Sequence, residues 1–333
     1  MVNKILVVVL DNLGDAVMGT AVLNTLRQFY PEAKVGFWVK EYTAGLFHDK
    51  GTVDLLHASD PFWDTSPGLP KGSWRTFWRI FQRVRKEKYD LVFILNTDWR
   101  RSMVLWLARI PNRVGLVRHR TRFFLTVKVL PPPKTRHYID YHQKLIEAWF
   151  QKEIPVEMFF PTLKLDVEEQ EWAFKWRQEL QWESRLIVGI HPFAGDPQRC
   201  WPTSRWAELV RLLIREDPDL RFVFVCGGSE AEKLNGEAFS LDRKTCSLLV
   251  SPIQHVKAVL SLCSLFIGGD SGPGHMAAAL SVPVLSLFGE SNPVQCAPRG
   301  RAPVRILKKA NLNDLPAKEV LDEVRTLLAS KVT

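Results

Sequence analysis

Two stretches of continuous apolar residues, each ending in a turn and running into a helix, set the pattern of this chain. Near the start, Ile5-Leu6-Val7-Val8-Val9-Leu10 is apolar throughout, as expected of an inner parallel strand covered on both faces. Asp11-Asn12-Leu13-Gly14-Asp15 makes the turn, residues 16–30 read as a helix stopped by Pro31, and residues 35–39 as a second strand. Near the other end, Leu265-Phe266-Ile267 runs into Gly268-Gly269, and Asp270-Ser271-Gly272-Pro273-Gly274 opens a helix that continues through His275 to Leu280. Pro283-Val284-Leu285-Ser286-Leu287-Phe288 is the next strand, closed by Gly289. Both stretches are strand–turn–helix–strand units, so the fold class is α/β.

The intervening chain repeats the alternation. Helices are expected over 73–88, 167–182, 204–216, 250–262 and 317–328, and strands over 89–95, 185–190 and 220–226. Pro131-Pro132-Pro133 and the prolines at 155 and 161 punctuate the end of a first domain, and residues 67–71 form a Pro/Gly loop. The expected division is a first Rossmann-like domain over 1–165, a linker helix over 166–184, and a second domain over 185–333 with a terminal helix.

In residues 73–88 Trp74, Phe77, Trp78, Phe81 and Val84 fall at helical spacing, with Arg75, Arg79, Arg83 and Lys86 around the rest. Such a helix either packs on the sheet with a solvated basic face or touches anionic lipid head groups.

Length and charge add to this. At 333 residues the chain can bury two cores of ordinary size, and its 46% apolar content is that of a soluble globular protein. No apolar run reaches membrane-spanning length, and Asp11 ends the first one too soon for a signal-peptide core. The five cysteines, all in the second half without paired metal spacing, read as reduced thiols of a cytosolic protein. Residues 1–165 hold 25 Lys and Arg against 15 Asp and Glu, while the remainder holds 20 against 21. The basic excess therefore belongs to the first domain alone, which points to an acidic partner there.

Candidate chemistry gathers at the carboxyl ends of strands, where open α/β sheets place their ligands. Asp15 stands at such an end, in a position that would equally suit a helix cap. Residues 113–122 carry Arg113, Arg118, Arg120 and Arg122 with His119, and Arg101 follows the strand over 89–95. The cluster lacks the aromatic stacking pattern of a nucleic-acid surface and fits anionic sugars or phosphates, which arginine grips with two parallel bonds. Arg199, in the loop after the 185–190 strand, is a candidate phosphate clamp or a plain loop arginine. Glu230, after Gly227-Gly228-Ser229, or Glu232 two residues on, could accept from ribose hydroxyls or simply be a first-turn acid. The amino end of the helix at Ser271-Gly272 is ready to hold a phosphate, and Asp270 and His275 flank it. A larger side chain at 272 or 274 would keep a ligand off the backbone. The one Asp-x-Asp, Asp217-Pro218-Asp219, precedes a strand and lies at the wrong end of the sheet to bring a metal to a diphosphate.

Leu13-Gly14-Asp15, Arg199-Cys200-Trp201-Pro202, Gly227-Gly228-Ser229-Glu230 and Asp270-Ser271-Gly272-Pro273-Gly274-His275, in this order and spacing, span nearly the whole chain. Together they resemble the heptosyltransferases of lipopolysaccharide assembly, glycosyltransferase family nine. The resemblance implies two Rossmann-like domains facing across a cleft, a GT-B-type architecture, with the acceptor on the first domain and the nucleotide sugar on the second. It implies an ADP-heptose donor, inversion at the anomeric carbon, no cofactor and no required metal. By resemblance Asp15 is the general base, Arg199 and the Ser271-Gly272 turn hold the diphosphate, and Asp270 and His275 line the donor site. Gly14, Arg101, Arg118, Arg120 and Arg122 then fall on the acceptor side.

The partners implied are an ADP-sugar and an anionic, lipid-linked sugar, met by a peripheral protein at the inner face of the cytoplasmic membrane, with no nucleic acid. The family usually has a basic residue where Val9 stands, often another where Asn12 stands, and lysine where Arg199 stands. The first two departures remove contacts to acceptor or sugar, and the third exchanges a point charge for a fork. A sugar-nucleotide epimerase would share the architecture but need no acceptor surface, and a non-catalytic nucleotide-binding protein would have no use for Asp15.

Overall fold

The computed structural model describes residues 2–48, 51–64, 71–133, 135–234, 242 and 244–329. The chain divides into two compact units, Met1–Leu163 and Lys164–Thr333. The first holds β1 (Lys4–Val9), α1 (Leu13–Phe29), β2 (Lys34–Val39), β3 (Leu55–Ala58), α2 (Trp74–Glu87), β4 (Leu91–Ile94), α3 (Trp99–Leu107), β5 (Asn112–Leu116), β6 (Val127–Val129) and α4 (Tyr138–Phe150). Its six strands are all parallel, in the order β3-β2-β1-β4-β5-β6. This is the doubly wound order, and it reverses between β1 and β4.

The second unit holds α5 (Val167–Glu179), β7 (Ile187–His191), α6 (Thr203–Glu216), β8 (Arg221–Val225), α7 (Gly228–Leu234), β9 (Cys246–Leu249) and α8 (Ile253–Ser261). It continues through β10 (Leu265–Gly269), α9 (Gly272–Ala279), β11 (Val284–Phe288), α10 (Pro293–Cys296), β12 (Val304–Lys308) and α11 (Ala317–Ala329). The order β12-β11-β10-β7-β8-β9 is again parallel throughout, with its reversal between β7 and β10. Both sheets are therefore Rossmann-like. β1, β7, β10 and β11 bury nearly every residue, which is why their sequences are apolar without alternation.

Several boundaries differ from the sequence reading, each for a local reason. α1 begins at Leu13 rather than at 16, because Asn12 is the extended residue before it, so the Leu-Gly-Asp turn is the helix's own first turn. Asp15 is thus the third helical residue and not the cap. On α2 the buried face is Phe77, Ile80, Phe81 and Val84, whereas Trp74 and Trp78, which share the apolar spacing, are 61% and 53% exposed. The helix expected over 250–262 starts at Ile253, since Cys246–Leu249 is the edge strand β9 and Pro252 precedes the first turn. Asp98 caps α3 by accepting from the Arg100 N–H at 3.0 Å, so Arg101, which follows the β4 strand, lies in the first turn of a helix.

The helix expected in the linker region, α5, packs within the second unit. Its Glu169 pairs with the fully buried Lys257 of α8 at 2.8 Å, and Trp172 stacks on His255 at 3.9 Å. Of the Pro/Gly loop expected over 67–71, all but Lys71 lies outside the described residues. Among the described residues no helix is long and apolar enough to cross a membrane.

Candidate active site

In the first unit the site forms where the strand order reverses. β1 delivers Asp11, and the first turn of α1 delivers Gly14 and Asp15. The Asp15 carboxylate folds back to accept the Asn12 backbone N–H at 3.2 Å. α1 comes this close to the sheet because Gly19 faces it: a Cβ there would meet the Val9 side chain at 2.9 Å.

Asp15 is half-buried, and its pKa is raised to about 7. Burial is the main cause and the Asp11 carboxylate the next, opposed by the Asn12 N–H and by the charges of Arg101 and Lys40. A carboxylate so placed exchanges a proton near neutrality, as a general base should. Tyr42, from the turn after β2, faces the same acids. Burial first, then Asp15, Asp60 and Asp11, push its hydroxyl up to about 12, so it stays protonated.

Arg101, expected on the acceptor side, is only 5% exposed. Its Nη1 donates to Asp11 at 2.7 Å and its Nη2 to Asp64 at 3.0 Å, and Asp64 also pairs with Lys40 at 3.3 Å. The guanidinium fork is therefore spent on two acids and fixes the carboxylate nearest Asp15 in charge terms. Arg118, Arg120 and Arg122 are exposed at the carboxyl end of β5, on the same edge of the sheet as Asp15. Arg120 lies over the Trp99 ring at 5.4 Å and Arg122 over Phe123 at 4.9 Å, contacts that hold the stems and leave the charges to solvent.

The Asp11–Arg101 pair yields a pH prediction. Asp15 must be ionised to accept a proton, so kcat/KM should rise with pH through about 7 and level off above it. Asp11→Asn removes a charge that raises the Asp15 pKa, so the rising limb should move to lower pH. An unmoved limb in the pH–rate profile means that Asp15 is not the titrating group.

The second unit repeats the placement. Arg199 ends the short 3₁₀ turn Pro197–Arg199 after β7, which Asp196 caps through the Gln198 N–H at 3.0 Å. The turn is tied down on both sides. Cys200 Sγ accepts the Ala194 N–H at 3.2 Å, while buried Trp201 donates to the Leu315 carbonyl at 2.9 Å and packs edge-on against Trp206. From there Arg199 Nη1 reaches Asp270 at 3.0 Å, beyond the end of β10.

Ser271 precedes α9 in extended conformation but gives it no side-chain cap. Its hydroxyl donates backward to the Gly269 carbonyl at 3.3 Å. With Pro273 carrying no N–H, the first turn presents the N–H groups of Gly272, Gly274 and His275 without that cap, at the positive end of the helix dipole. His275 is buried and its pKa is lowered to about 4, chiefly by burial against the opposing pull of Asp270, so it is neutral at physiological pH.

Glu230 lies in the first turn of α7 and accepts the Gly227 N–H at 2.7 Å. Sequence spacing gave no sign that it converges with His191 and Cys226: one ligand atom from each lies within 4.8 Å of the others, a set that could hold a metal ion. His191 Nδ1 faces the Val225 carbonyl at 2.7 Å, which as an acceptor fixes the proton on Nδ1 and leaves Nε2 as the ligand atom. The Cys226 thiol is pushed up to about 12 by burial and then by Glu230, so it is protonated at neutral pH.

Comparison with known proteins gives these two half-sites a context. The family model described as Glycosyltransferase family 9 (heptosyltransferase) matches residues 77–325. Lipopolysaccharide heptosyltransferase 3 of Escherichia coli (strain K12) is 25% identical, over 95% of this chain and 91% of that one. The glycosyl transferase family 9 structure from Veillonella parvula DSM 2008 superposes with a TM-score of 0.86 at 21% identity, covering 98% of this chain and 97% of that one. E. coli heptosyltransferase WaaC, solved with ADP-2-deoxy-2-fluoro heptose, has a TM-score of 0.75 at 16% identity, covering 97% and 99%. The two Rossmann-like units thus carry the GT-B architecture of heptosyltransferases.

Proposed function

The chain belongs to glycosyltransferase family 9, the heptosyltransferases, and on that premise we propose that it moves a heptose from ADP-heptose, with inversion, to an acidic inner-core sugar of lipopolysaccharide. The observation that carries this reading is Asp15, a carboxyl group at the reversal point of the first sheet whose pKa is raised to about 7. A sugar hydroxyl is a poor nucleophile, and Asp15 takes its proton as the new bond to the anomeric carbon forms. One displacement by that hydroxyl inverts the carbon. Gly14, the second residue of α1, sets no side chain beside Asp15, and the exposed Arg118, Arg120 and Arg122 offer an anionic acceptor its counter-charges.

In the second unit the departing ADP gains charge on its diphosphate as the glycosidic bond breaks. Arg199 and the N–H groups at Ser271-Gly272 are aimed where that charge develops, and fixed donors of this kind lower the barrier. Asp270 holds one corner of the Arg199 fork and leaves the rest for phosphate oxygens. His275, neutral and buried, supports the same turn, and Glu230 is placed to accept from ribose hydroxyls. The positive charge comes from the chain itself, so the reading needs neither metal nor cofactor. That the E. coli heptosyltransferase with this fold was solved with an ADP-heptose analogue supports the choice of nucleotide. With a lipid-linked acceptor, the protein would work as a peripheral enzyme at the inner face of the cytoplasmic membrane.

A nucleotide panel tests the donor assignment. ADP and ADP-heptose should raise the melting temperature, since a ligand at a hundred times its Kd stabilises the native state by about 2.7 kcal/mol. UDP, CDP and GDP should not. Equal stabilisation by UDP removes the adenine preference, and with it the ADP-heptose assignment.

A further inference from the structure

The outer face of α2 pairs aromatic surface with unneutralised positive charge. With Phe77, Ile80, Phe81 and Val84 turned to the sheet, the helix presents Trp74 and Trp78 beside Arg75, Arg79, Arg83, Arg85 and Lys86. None of these five cations forms an ion pair among the described residues, and the one acid on the helix, Glu87, is taken by Lys4 at 3.0 Å. Trp78 stacks on the buried Phe81 at 4.9 Å. Phe62, 48% exposed, extends the aromatic patch at the helix's amino end, edge-on to Trp63 and Phe77.

At the carboxyl end of α2, Arg85 reaches a pocket of about 510 Å³ that it shares with Trp106, Leu107, Arg109 and Arg113. Trp106 and Leu107 are 50% and 44% exposed. Arg113 is locked by carbonyls, donating from Nε to Phe124 and from Nη1 to Ile110 and Pro111, and burial lowers its pKa. No acid among the described residues pairs with this cation. The pocket thus gathers three arginines around an apolar floor at the amino-terminal edge of the sheet, remote from Asp15.

We propose that the outer face of α2 and this arginine-lined pocket form the surface that binds anionic phospholipid in a bilayer. The inference rests on the reading of a lipid-linked acceptor, to which it adds the partner and the face that meets it. Tryptophan is the side chain most at home at head-group depth, since its ring is apolar and its N–H stays hydrated. Arginines spread around two such rings meet lipid phosphates, and the pocket takes one phosphate between several guanidinium groups. The helix is about 20 Å long at 1.5 Å per residue. It begins toward the sheet edge that carries Asp15 and ends at the opposite edge, beside the pocket. An enzyme lying on α2 would therefore keep the Asp15 edge beside the leaflet from which a lipid-linked sugar projects.

Co-sedimentation with vesicles of phosphatidylglycerol and phosphatidylcholine, against phosphatidylcholine alone, tests this on the full chain. The protein should pellet with the anionic vesicles only, and less as salt rises. Trp74→Ser with Trp78→Ser, and separately Arg85→Glu with Arg109→Asn, should each weaken vesicle binding roughly tenfold or more. Asn suits the left-handed backbone at 109, where φ is 61°. Both variants should keep the wild-type response to ADP and wild-type turnover on a lipid-free acceptor, because none of these residues belongs to either half-site. Wild-type pelleting by either pair of substitutions overturns the surface. So does equal binding to neutral vesicles, or stabilisation by free glycerol phosphate without vesicle binding. If the wild-type protein ignores anionic vesicles while ADP-heptose turnover stands, this surface fails and the transferase reading survives. If turnover itself is missing, the transferase reading fails, and vesicle binding still decides the surface.

Discussion

Asp15→Asn should leave the fold and ADP affinity in place while turnover falls roughly a hundredfold or more, the scale of a lost general base. The substitution keeps size and shape, and the Asn side-chain oxygen can still accept the Asn12 N–H that Asp15 now accepts. Removing a carboxyl group held at a pKa of about 7 by burial and by Asp11 costs the protein nothing in desolvation, so melting temperature should hold or rise. Turnover assayed with saturating ADP-heptose separates the two roles open to this residue. A variant that turns over at the wild-type rate would reduce Asp15 to the first-turn acid of α1. A variant that loses ADP binding as well would place its effect on folding. The pH profile supplies an independent check, because the limb that rises through about 7 in the wild type should be absent from the residual activity.

How much of this was legible beforehand depends on what each residue faces. β1, β10 and β11 are covered on both sides, so their apolar runs announced them to within a residue or two. The edge strands β6, β9 and β12 are half-exposed and mix polar with apolar residues, so no period marks them. On α2 the spacing of Trp74, Phe77, Trp78, Phe81 and Val84 was read correctly as helical, yet the apolar stripe is wider than the buried one. Periodicity cannot tell a tryptophan that faces the core from one beside it, and here Ile80 takes the inner place.

The site shows the same division. Asp15, Arg199, Asp270 and His275 were visible because each follows an apolar strand, where α/β sheets place ligands. The structure brings Arg199 to Asp270, 71 positions away, through the adjacency of β7 and β10. Arg101 was assigned to the acceptor by its position after β4. Nothing local could tell that Asp11 and Asp64, 90 and 37 positions away, would claim its guanidinium. Likewise His191, Cys226 and Glu230 converge only because β7 and β8 are neighbours.

The second large effect is expected at Gly272, the first residue of α9. Gly272→Val should abolish ADP binding while Arg199→Ala only weakens it. Arginine contributes charge-assisted bonds, whose loss costs about 1.5–3 kcal/mol, or roughly ten- to a hundredfold in Kd. The helix end contributes several backbone N–H groups at once, and a branched side chain over them denies the phosphate all of them together. Ser271 leaves those groups without a side-chain cap, its hydroxyl donating to the Gly269 carbonyl instead. A phosphate that reaches them has no Ser271 cap to displace. Gly272→Ala, with one methyl instead of an isopropyl group, should fall between wild type and Val. Calorimetric titration with ADP reads all three variants, and circular dichroism confirms that each is folded. If Gly272→Val binds ADP with wild-type affinity, the diphosphate does not sit on α9, and Arg199 would be left without the partner surface that makes it a clamp.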